Sequence, residues 1–213
     1  MLARARTFFT AVFTPLARLL LRAGIAPNAV TAVGTIAVCA TALVLFPIGQ
    51  LFWGSLVITV FVISDTVDGV MARMSGRSST WGAFLDSTLD RFGDAAIFGG
   101  LLLWFTRGGD DPVLAAVTLW CLVTGSVTSY IRARAEALGM TAEVGISQRA
   151  DRLVAVLVGA GLSGLGVPFV LPVLLWLLAA ASGVTVVQRL VVVRRQARAR
   201  APAEPAREGS DAR

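Results

Sequence analysis

The chain contains no histidine and only two cysteines, Cys39 and Cys121, among its 213 residues. The absence of histidine excludes a Ser-His-Asp triad, a histidine general base and a histidine-ligated zinc site. Both cysteines lie within apolar runs, where a cysteine is usually a small core residue. We therefore expect neither a disulfide nor a thiol nucleophile.

Charged residues are also scarce, at 15% of the chain, whereas a soluble domain carries roughly 25%. Hydrophobic residues make up 56%, and the mean hydropathy is +0.76. Too few polar groups remain to cover a water-facing surface, so the composition predicts a membrane protein. The net charge of +6 comes from arginines beside apolar runs, which favours contact with membrane lipid and predicts no nucleic-acid partner.

Apolar segments of about 20 residues, the length that crosses a bilayer core, occur about six times. Backbone polar groups inside a bilayer must be hydrogen-bonded internally, and an alternating strand pattern is absent, so each segment is predicted to be a helix. The predicted fold class is therefore an all-α membrane protein with about six transmembrane helices. The predicted spans are 29–47, 51–72, 83–105, 112–134, 151–168 and 170–193.

The two ends of the chain have different patterns. Residues 1–24 alternate arginine with apolar groups and predict an amphipathic juxtamembrane helix on the membrane surface. Residues 25–196 form the predicted six-helix domain, and the Ala-, Pro-, Arg- and Glu-rich tail 197–213 is predicted to be disordered. All arginine-rich connections fall on one side with both termini. The positive-inside rule then predicts a multi-pass protein of the cell (plasma) membrane with cytoplasmic termini.

Four aspartates lie near the cytoplasmic ends of the second and third predicted spans: Asp65, Asp68, Asp86 and Asp90. A charged side chain inside a bilayer costs about 3 kcal/mol even on the lenient insertion scale, so four of them require a specific role. Each pair has a spacing of three or four residues and so shares a helix face. Two such helices, packed as antiparallel neighbours, would direct the carboxylates to one point and hold one or two hard divalent cations together with a diphosphate.

Three residues beside the aspartates suit a phosphate ligand. Gly69 and Gly82 leave space for a phosphate or nucleotide to approach the backbone, and Arg73 offers a fork of donors.

One alternative is that the aspartates pair with Arg73 and Arg91 and only hold helices together. Another is a cation channel or transporter, which predicts carboxylates spread through the bilayer depth. The shared faces and the position at one membrane side favour a metal and phosphate site.

The spacing Asp-x2-Asp-Gly-x2-Ala-Arg-x8-Gly-x3-Asp-x3-Asp resembles the signature of the CDP-alcohol phosphotransferase family. Its eight defining positions are filled by Asp65, Asp68, Gly69, Ala72, Arg73, Gly82, Asp86 and Asp90. The resemblance implies a metal-dependent membrane transferase whose aspartates Asp65, Asp68, Asp86 and Asp90 bind two divalent ions, Mg²⁺ or Mn²⁺. It also implies that Asp90 is the catalytic base on an acceptor hydroxyl, which attacks the phosphorus attached to diacylglycerol so that CMP leaves.

The donor implied by the resemblance is CDP-diacylglycerol, and Pro27-Asn28 and Thr31 also resemble the family's entry to the first span. Asn28 is expected to contact the nucleotide, although Asn or Thr at this place also fits a helix cap. The expected donor-binding residues are Asn28, Asp65, Asp68, Gly69, Ala72, Arg73, Ser78, Thr80, Gly82 and Asp86. Family members are commonly homodimers, so a homodimer is expected.

A cluster of arginines is predicted at the same membrane face: Arg132, Arg134, Arg149, Arg152 and Arg189. Arginine suits bidentate phosphate recognition, and the alternative is ordinary positive-inside flanking. An acceptor that already carries phosphate accounts for the cluster. Two family branches use one: glycerol 3-phosphate in one branch and inositol phosphate in an actinobacterial branch. The runs at 129–136 and 149–152 resemble the latter, so myo-inositol 3-phosphate is the preferred acceptor and glycerol 3-phosphate the alternative.

Overall fold

The structure is a computed structural model that describes residues 14–75 and 79–200; the side chains of residues 64–66, 68, 72 and 75 lie outside the description. Within the described residues, all regular secondary structure is helical. Residues 14–22 are helical and are named α1. The six helices that follow are α2 (Pro27–Leu45), α3 (Leu51–Ser75), α4 (Thr80–Phe105), α5 (Pro112–Ala137), α6 (Arg149–Gly164) and α7 (Val170–Arg200).

The starts of these helices follow local sequence signals. Pro27 and Pro112 occupy the first turns of α2 and α5, where a missing N–H costs nothing. Ser79 caps α4, because its hydroxyl accepts a hydrogen bond from the Gly82 N–H at 3.0 Å. The side chain of Asp111 caps α5 in the same way. Helices α2 to α7 therefore coincide with the six apolar segments read from the sequence, within a few residues at most ends and seven at the end of α7.

Three of the helices are long and apolar enough to cross a membrane: α2, α5 and α7. In α3 the apolar stretch is shorter, Leu51–Ile63, and the aspartate motif follows it. Together with the composition, these helices confirm an all-helical membrane protein. The two cysteines are free, as expected, and Cys121 is buried in the core.

The helices α2 to α7 are arranged as a closed ring. Helix α2 packs against α3 and α4, α4 packs in turn on α5, and α5 packs on α7. Helix α6 completes the ring by packing against α7 and α3. The core inside this ring includes the fully buried side chains of Phe46, Ile58, Leu101, Leu171 and Leu175. Helix α2 thus flanks both motif-bearing helices, and the direct pairing of α3 with α4 that the sequence indicates stays a prediction.

Two glycines allow the closest approaches between helices. A Cβ atom at Gly100 of α4 would lie 2.3 Å from the backbone oxygen of Ala42 in α2. A Cβ atom at Gly164, the last residue of α6, would lie 2.3 Å from the backbone nitrogen of Phe52 in α3. Both distances are far inside van der Waals contact with rigid backbone, so these contacts of the ring require glycine.

Helix α7 has 31 residues, which gives a length of about 46 Å and exceeds the roughly 30 Å of a bilayer core. Its last turn contains residues 197–200, which the sequence assigned to the tail. Residues 201–213, the rest of that tail, and residues 1–13 of the predicted surface helix lie outside the described residues.

One face of α7 binds the connection between α5 and α6. The four residues of this face are spaced by four, seven and four positions, which keeps them in one stripe of an α-helix; they are Thr185, Arg189, Gln196 and Arg200. We refer to them as the α7 stripe. The connection, residues 138–148, runs along the stripe in the opposite direction.

Each member of the α7 stripe holds backbone atoms of the connection. The Ser147 N–H donates to the Thr185 hydroxyl at 3.1 Å, and Arg189 Nε donates to the Val144 carbonyl at 3.0 Å. The Gln196 amide accepts from the Thr141 N–H at 3.0 Å and donates to its carbonyl at 2.7 Å. Arg200 donates to the Leu138 carbonyl at 3.1 Å. This connection is therefore ordered by α7 and leads directly into Arg149.

Candidate active site

The four motif aspartates lie at matching depths on α3 and α4. Asp65 is ten residues before the last residue of α3, and Asp90 is ten residues after the first residue of α4. Asp68 and Asp86 are seven and six residues from the same ends. Since the two helices are joined by a short connection and an α-helix rises about 1.5 Å per residue, each aspartate of α3 has a counterpart at nearly the same level of α4.

The donor set at this level suits a hard divalent cation. Asp86 is exposed and Asp90 is half-buried, and the two share a face of α4. Among the side chains that the structure describes, no three His, Cys, Asp or Glu residues form a group that would hold a metal. The side chains of Asp65 and Asp68 are outside that set. The predicted four-carboxylate metal site is thus compatible with the backbone and stays a prediction in its side-chain detail.

Asn28 lies against the motif rather than capping its helix. The cap position of α2 is Ala26, and the Thr31 hydroxyl donates to the Pro27 carbonyl within the helix. The Asn28 Oδ1 atom would be 3.3 Å from a Cβ atom at Gly82. The helix-cap alternative is therefore wrong for Asn28, and its amide sits where the first turn of α4 passes.

The other predicted donor-binding residues surround the ends of α3 and α4. Arg73 is exposed in the last turn of α3, and its Nη1 atom would be 3.7 Å from a Cβ atom at Gly69. Thr80 is the exposed first residue of α4. Ser78 lies outside the described residues, as does the side chain of Ala72.

Asp90, the last aspartate of the motif, is ion-paired with an arginine of the predicted acceptor cluster. Its Oδ1 atom lies 2.8 Å from Nη1 of Arg149, the first residue of α6. Arg91 is a second, more distant partner, at 4.0 Å from Oδ2, and also donates to the Ser129 hydroxyl of α5. The acidic motif and the basic cluster are thus in direct contact.

Asp94 lies one turn beyond Asp90 on α4 and contacts the same two arginines. The sequence alone assigns no role to it. It is buried, with 8% of its surface exposed. Its carboxylate lies 3.0 Å from Arg149 Nε, 3.4 Å from Arg91 Nη1 and 4.0 Å from Arg152 Nη2. Three guanidinium groups therefore surround one carboxylate.

Arg152 is the most deeply buried arginine of the cluster, with 3% of its surface exposed. Its polar contacts are long: Nη1 lies 3.5 Å from the Thr128 hydroxyl, and Nη2 lies 4.0 Å from Asp94. The side chain passes over Gly125 of α5, where a Cβ atom would lie 3.2 Å from Arg152 Nε. Among the side chains that the structure describes, this guanidinium with five donors has only these long contacts, which leaves donors for an anionic ligand.

Arg189 lies beside Arg152 on the other side of Thr128. It is 8% exposed, and its Nη1 atom donates to the Thr128 carbonyl at 2.6 Å. With its bond to the Val144 carbonyl, this side chain joins α7, α5 and the connection before α6. Thr128 therefore contacts both buried arginines, one through its hydroxyl and one through its carbonyl.

Arg132 and Arg134, the other predicted acceptor-binding residues, lie at the exposed end of α5. Arg132 forms ion pairs of 2.8 Å with both Glu136 and Glu143. Arg134 is exposed in the last turn of the helix. The structure thus separates the predicted cluster into the buried Arg152 and Arg189, the half-buried Arg149, and the exposed Arg132 and Arg134.

Sequence reasoning missed Asp94, Thr128 and Gly125. A signal for Asp94 exists, because it extends the four-residue spacing of Asp86 and Asp90 by one more turn. No such signal marks Thr128 or Gly125, which only their position beside Arg152 reveals. Arg91 had been considered as a structural partner of the motif, and it does contact Asp90.

A separate apolar groove lies between α5 and α7, with a volume of about 1290 Å³. Its walls include Trp120, Trp176, Gly183 and Val187, and none of the predicted site residues lines it. The groove is therefore separate from the predicted site.

An all-helical membrane protein with paired aspartates on two adjoining helix ends, beside buried arginines, defines a membrane enzyme that handles phosphorylated substrates. Residues 24–149 match the model of the CDP-alcohol phosphatidyltransferase family. The chain belongs to this family, and it is a transferase of phospholipid synthesis.

Curated relatives cover nearly the whole chain. A phosphatidylinositol phosphate synthase of Streptomyces avermitilis is 53% identical and covers 98% of this chain and 89% of its own length. An enzyme of the same name from Mycolicibacterium smegmatis is 49% identical and covers 94% of this chain and 92% of its own length. These relatives support phosphatidylinositol phosphate synthesis over the glycerol 3-phosphate alternative.

Solved structures agree with this relation. The phosphatidylinositol phosphate synthase of Mycobacterium tuberculosis with CDP-DAG bound is 49% identical, with a TM-score of 0.83 over 86% of this chain and 94% of the solved chain. A structure of the same enzyme with manganese and citrate has the same TM-score and identity over 85% of this chain and 88% of the solved one. The relation supports the use of a divalent metal by this chain.

Proposed function

We propose that this chain transfers the phosphatidyl group of CDP-diacylglycerol to a hydroxyl of myo-inositol 3-phosphate, with release of CMP. The observation that carries the proposal is the 2.8 Å contact between Asp90 and Arg149. It joins the aspartate motif, which suits a nucleoside diphosphate and its metal ions, to buried arginines that suit a second phosphate. Relatives named for this activity, one of them solved with CDP-DAG, support the same assignment.

The acceptor phosphate is proposed to bind Arg152 and Arg189, with Arg149 at the edge of the site and Arg132 and Arg134 along its exposed approach. A buried charge without a strong partner is costly, by several kcal/mol. Arg152 is 3% exposed, and within the described part of the chain its side-chain polar contacts are 3.5 and 4.0 Å long. A phosphate dianion offers the acceptor oxygens that this guanidinium lacks.

Asp90 is proposed as the general base. Its carboxylate accepts the proton of the acceptor hydroxyl while the hydroxyl oxygen attacks the phosphorus attached to diacylglycerol. The new bond is the phosphodiester of the product, and the bond that breaks is the P–O bond to CMP, which leaves with the electron pair. Arg149 and Arg91 contact the Asp90 carboxylate, so the acceptor hydroxyl is proposed to share this carboxylate with the two arginines.

The donor is proposed to lie at the ends of α3 and α4, held by Asn28, Gly69, Ala72, Arg73, Ser78, Thr80 and Gly82 with the aspartates. Two divalent ions, Mg²⁺ or Mn²⁺, bound by Asp65, Asp68, Asp86 and Asp90 would neutralise charge on the diphosphate oxygens. A Cβ atom at residue 82 would lie 3.3 Å from the Asn28 Oδ1 atom, so a larger residue there would displace the Asn28 amide. This closeness of Asn28 to the first turn of α4 supports its proposed contact with the nucleotide.

The membrane arrangement is also part of the proposal. All six helices α2 to α7 are proposed to span the plasma membrane, with the site and both termini in the cytoplasm and the segment 1–24 on the membrane surface as an amphipathic helix. In support, α1 packs on α3 beside the motif, through Ala17 against Val67, Val70 and Met71, and Arg18 and Arg22 are exposed. A homodimer is proposed from the family alone.

The direct test is an acceptor comparison. Purified protein in detergent receives labelled CDP-diacylglycerol with Mg²⁺ or Mn²⁺ and, in turn, inositol 3-phosphate, glycerol 3-phosphate or unphosphorylated inositol. We expect labelled phosphatidylinositol phosphate from the first acceptor and little product from the others. Preferential product from glycerol 3-phosphate would contradict the assigned acceptor, and product from unphosphorylated inositol alone would contradict the arginine site.

A further inference from the structure

We propose that Asp94 is a positioning residue that sets the arginines of the acceptor site. The inference rests on the proposed function, since it assigns Asp94 to the acceptor half of that site. Asp94 lies one turn beyond Asp90 on α4, and the proposal gives its carboxylate a role different from those of Asp86 and Asp90.

The geometry distinguishes Asp94 from the motif aspartates. Asp86 is exposed and Asp90 is half-buried, whereas Asp94 is 8% exposed. Its Oδ1 atom accepts from Arg149 Nε at 3.0 Å, and Oδ2 lies 3.4 Å from Arg91 and 4.0 Å from Arg152. Both oxygens therefore face guanidinium groups, two of which come from α6.

A carboxylate at position 94 has an electrostatic effect that a neutral side chain would not have. Three guanidinium groups meet around it, and like charges held this close repel one another. Asp94 offsets this repulsion and fixes the angle of Arg149 through a charge-assisted hydrogen bond. It lies at 4.0 Å from Arg152, close enough to orient that side chain by charge while leaving its donors for a phosphate.

The placement on helices supports the same role. Arg149 and Arg152 are three residues apart and occupy the first turn of α6, so they lie on one face. Asp94 joins this turn to α4, and the α7 stripe holds the connection that leads into it from the other side. The first turn of α6 is thus fixed between α4 and α7, with Asp94 as its anchor on α4.

The test is a kinetic comparison of Asp94→Asn with wild type and with Asp110→Asn as a matched control on the exposed α4–α5 connection. The substitution keeps shape and removes charge. We expect the KM for inositol 3-phosphate to rise roughly tenfold to a hundredfold, with the KM for CDP-diacylglycerol and the melting temperature near wild type. Asp94→Glu restores the charge and is expected to recover part of the acceptor affinity. Asp110→Asn should change neither KM.

A double variant separates positioning from general support of the fold. If Asp94 acts through the arginines of α6, Asp94→Asn should add little to the acceptor KM in an Arg149→Ala or in an Arg152→Ala background, whereas independent effects would multiply in both.

Equal changes in both KM values, full multiplication in both the Arg149 and the Arg152 double variants, or loss of folding in both Asp94 variants would overturn the positioning role. A wild-type enzyme that does not use inositol 3-phosphate would instead contradict the proposed function itself.

Discussion

The guanidinium of Arg149 lies 2.8 Å from the carboxylate of Asp90, so the first residue of α6 contacts the last aspartate of the α4 motif. This contact brings the proposed donor half and the proposed acceptor half of the site side by side. A donor diphosphate at the aspartates and an acceptor phosphate at the arginines would meet at Asp90, which is where a proton acceptor is required.

Replacement of Asp90 by asparagine tests the proposed base. Asp90→Asn keeps the side-chain shape but accepts a proton poorly, so turnover should fall by at least about 10²- to 10⁴-fold. Binding of CDP-diacylglycerol, measured by its stabilisation of the protein against heat, should be largely retained. Turnover close to that of wild type would remove Asp90 from the mechanism.

Truncation of the buried arginines tests the acceptor site. Arg152→Ala and Arg189→Ala should each raise the acceptor KM about ten- to hundredfold, as expected for loss of hydrogen bonds to a charged group of roughly 1.5–3 kcal/mol. The donor KM should change much less. Arg195→Ala, an exposed arginine of α7, serves as the control. An acceptor pocket at these residues would be contradicted by parallel changes in both KM values.

Removal of divalent ions tests the carboxylate site. Four aspartates without cations would repel a diphosphate, so EDTA should abolish turnover, and added Mg²⁺ or Mn²⁺ should restore it. Helical content measured by circular dichroism should not change during this cycle. Full activity in the presence of excess chelator would rule out the metal-dependent mechanism.

A glycine substitution tests the helix ring. Gly164→Ala places a Cβ atom 2.3 Å from the backbone nitrogen of Phe52, so overpacking should cost about 1–3 kcal/mol of stability. Gly34→Ala on α2 has no atom within 4 Å and should be neutral or stabilising by at most about 1 kcal/mol. Melting temperatures in one detergent compare the two. Equal values would show that α6 and α3 are not in close contact at this point.

The α7 stripe gives a prediction about the α5–α6 connection. Gln196→Leu removes the three hydrogen bonds to Thr141, so the connection should open more often and amide hydrogen exchange over residues 138–148 should accelerate. Exchange in α2 should stay unchanged, and Arg195→Ala should have no effect on the connection. Unaltered exchange in Gln196→Leu would mean that other contacts hold this segment.

The sequence predicts much of this fold because apolar length and proline or aspartate caps mark where helices start. Helix α2 begins at Pro27 and α5 at Pro112, each within two residues of the predicted span. The order of helices around the ring is not encoded in such local signals. It depends on close approaches such as Gly100 to Ala42, and glycine patterns do not identify their partners.

The site is predicted in a similarly uneven way. Asp90 and the buried arginines follow from motif spacing and from the placement of charge beside apolar spans, but the pairing of Arg149 with Asp90 joins residues 59 positions apart and needs the fold. Asp94 has the right spacing and was still missed, because its role appears only when α6 is placed against α4. In the sequence, Arg132 and Arg152 both lie at the end of an apolar span. Only the structure distinguishes them, because it shows Arg132 exposed and ion-paired with Glu136 and Glu143.

The stripe on α7 also limits how this helix can change in length. Because each residue of an α-helix turns it by about 100°, inserting or deleting one residue between Arg189 and Gln196 would rotate Gln196 and Arg200 away from Thr141 and Leu138. Replacements of individual side chains in this segment are then tolerated far better than a change in residue number, and insertions or deletions within α7 among functional relatives should fall outside the interval from Arg189 to Arg200.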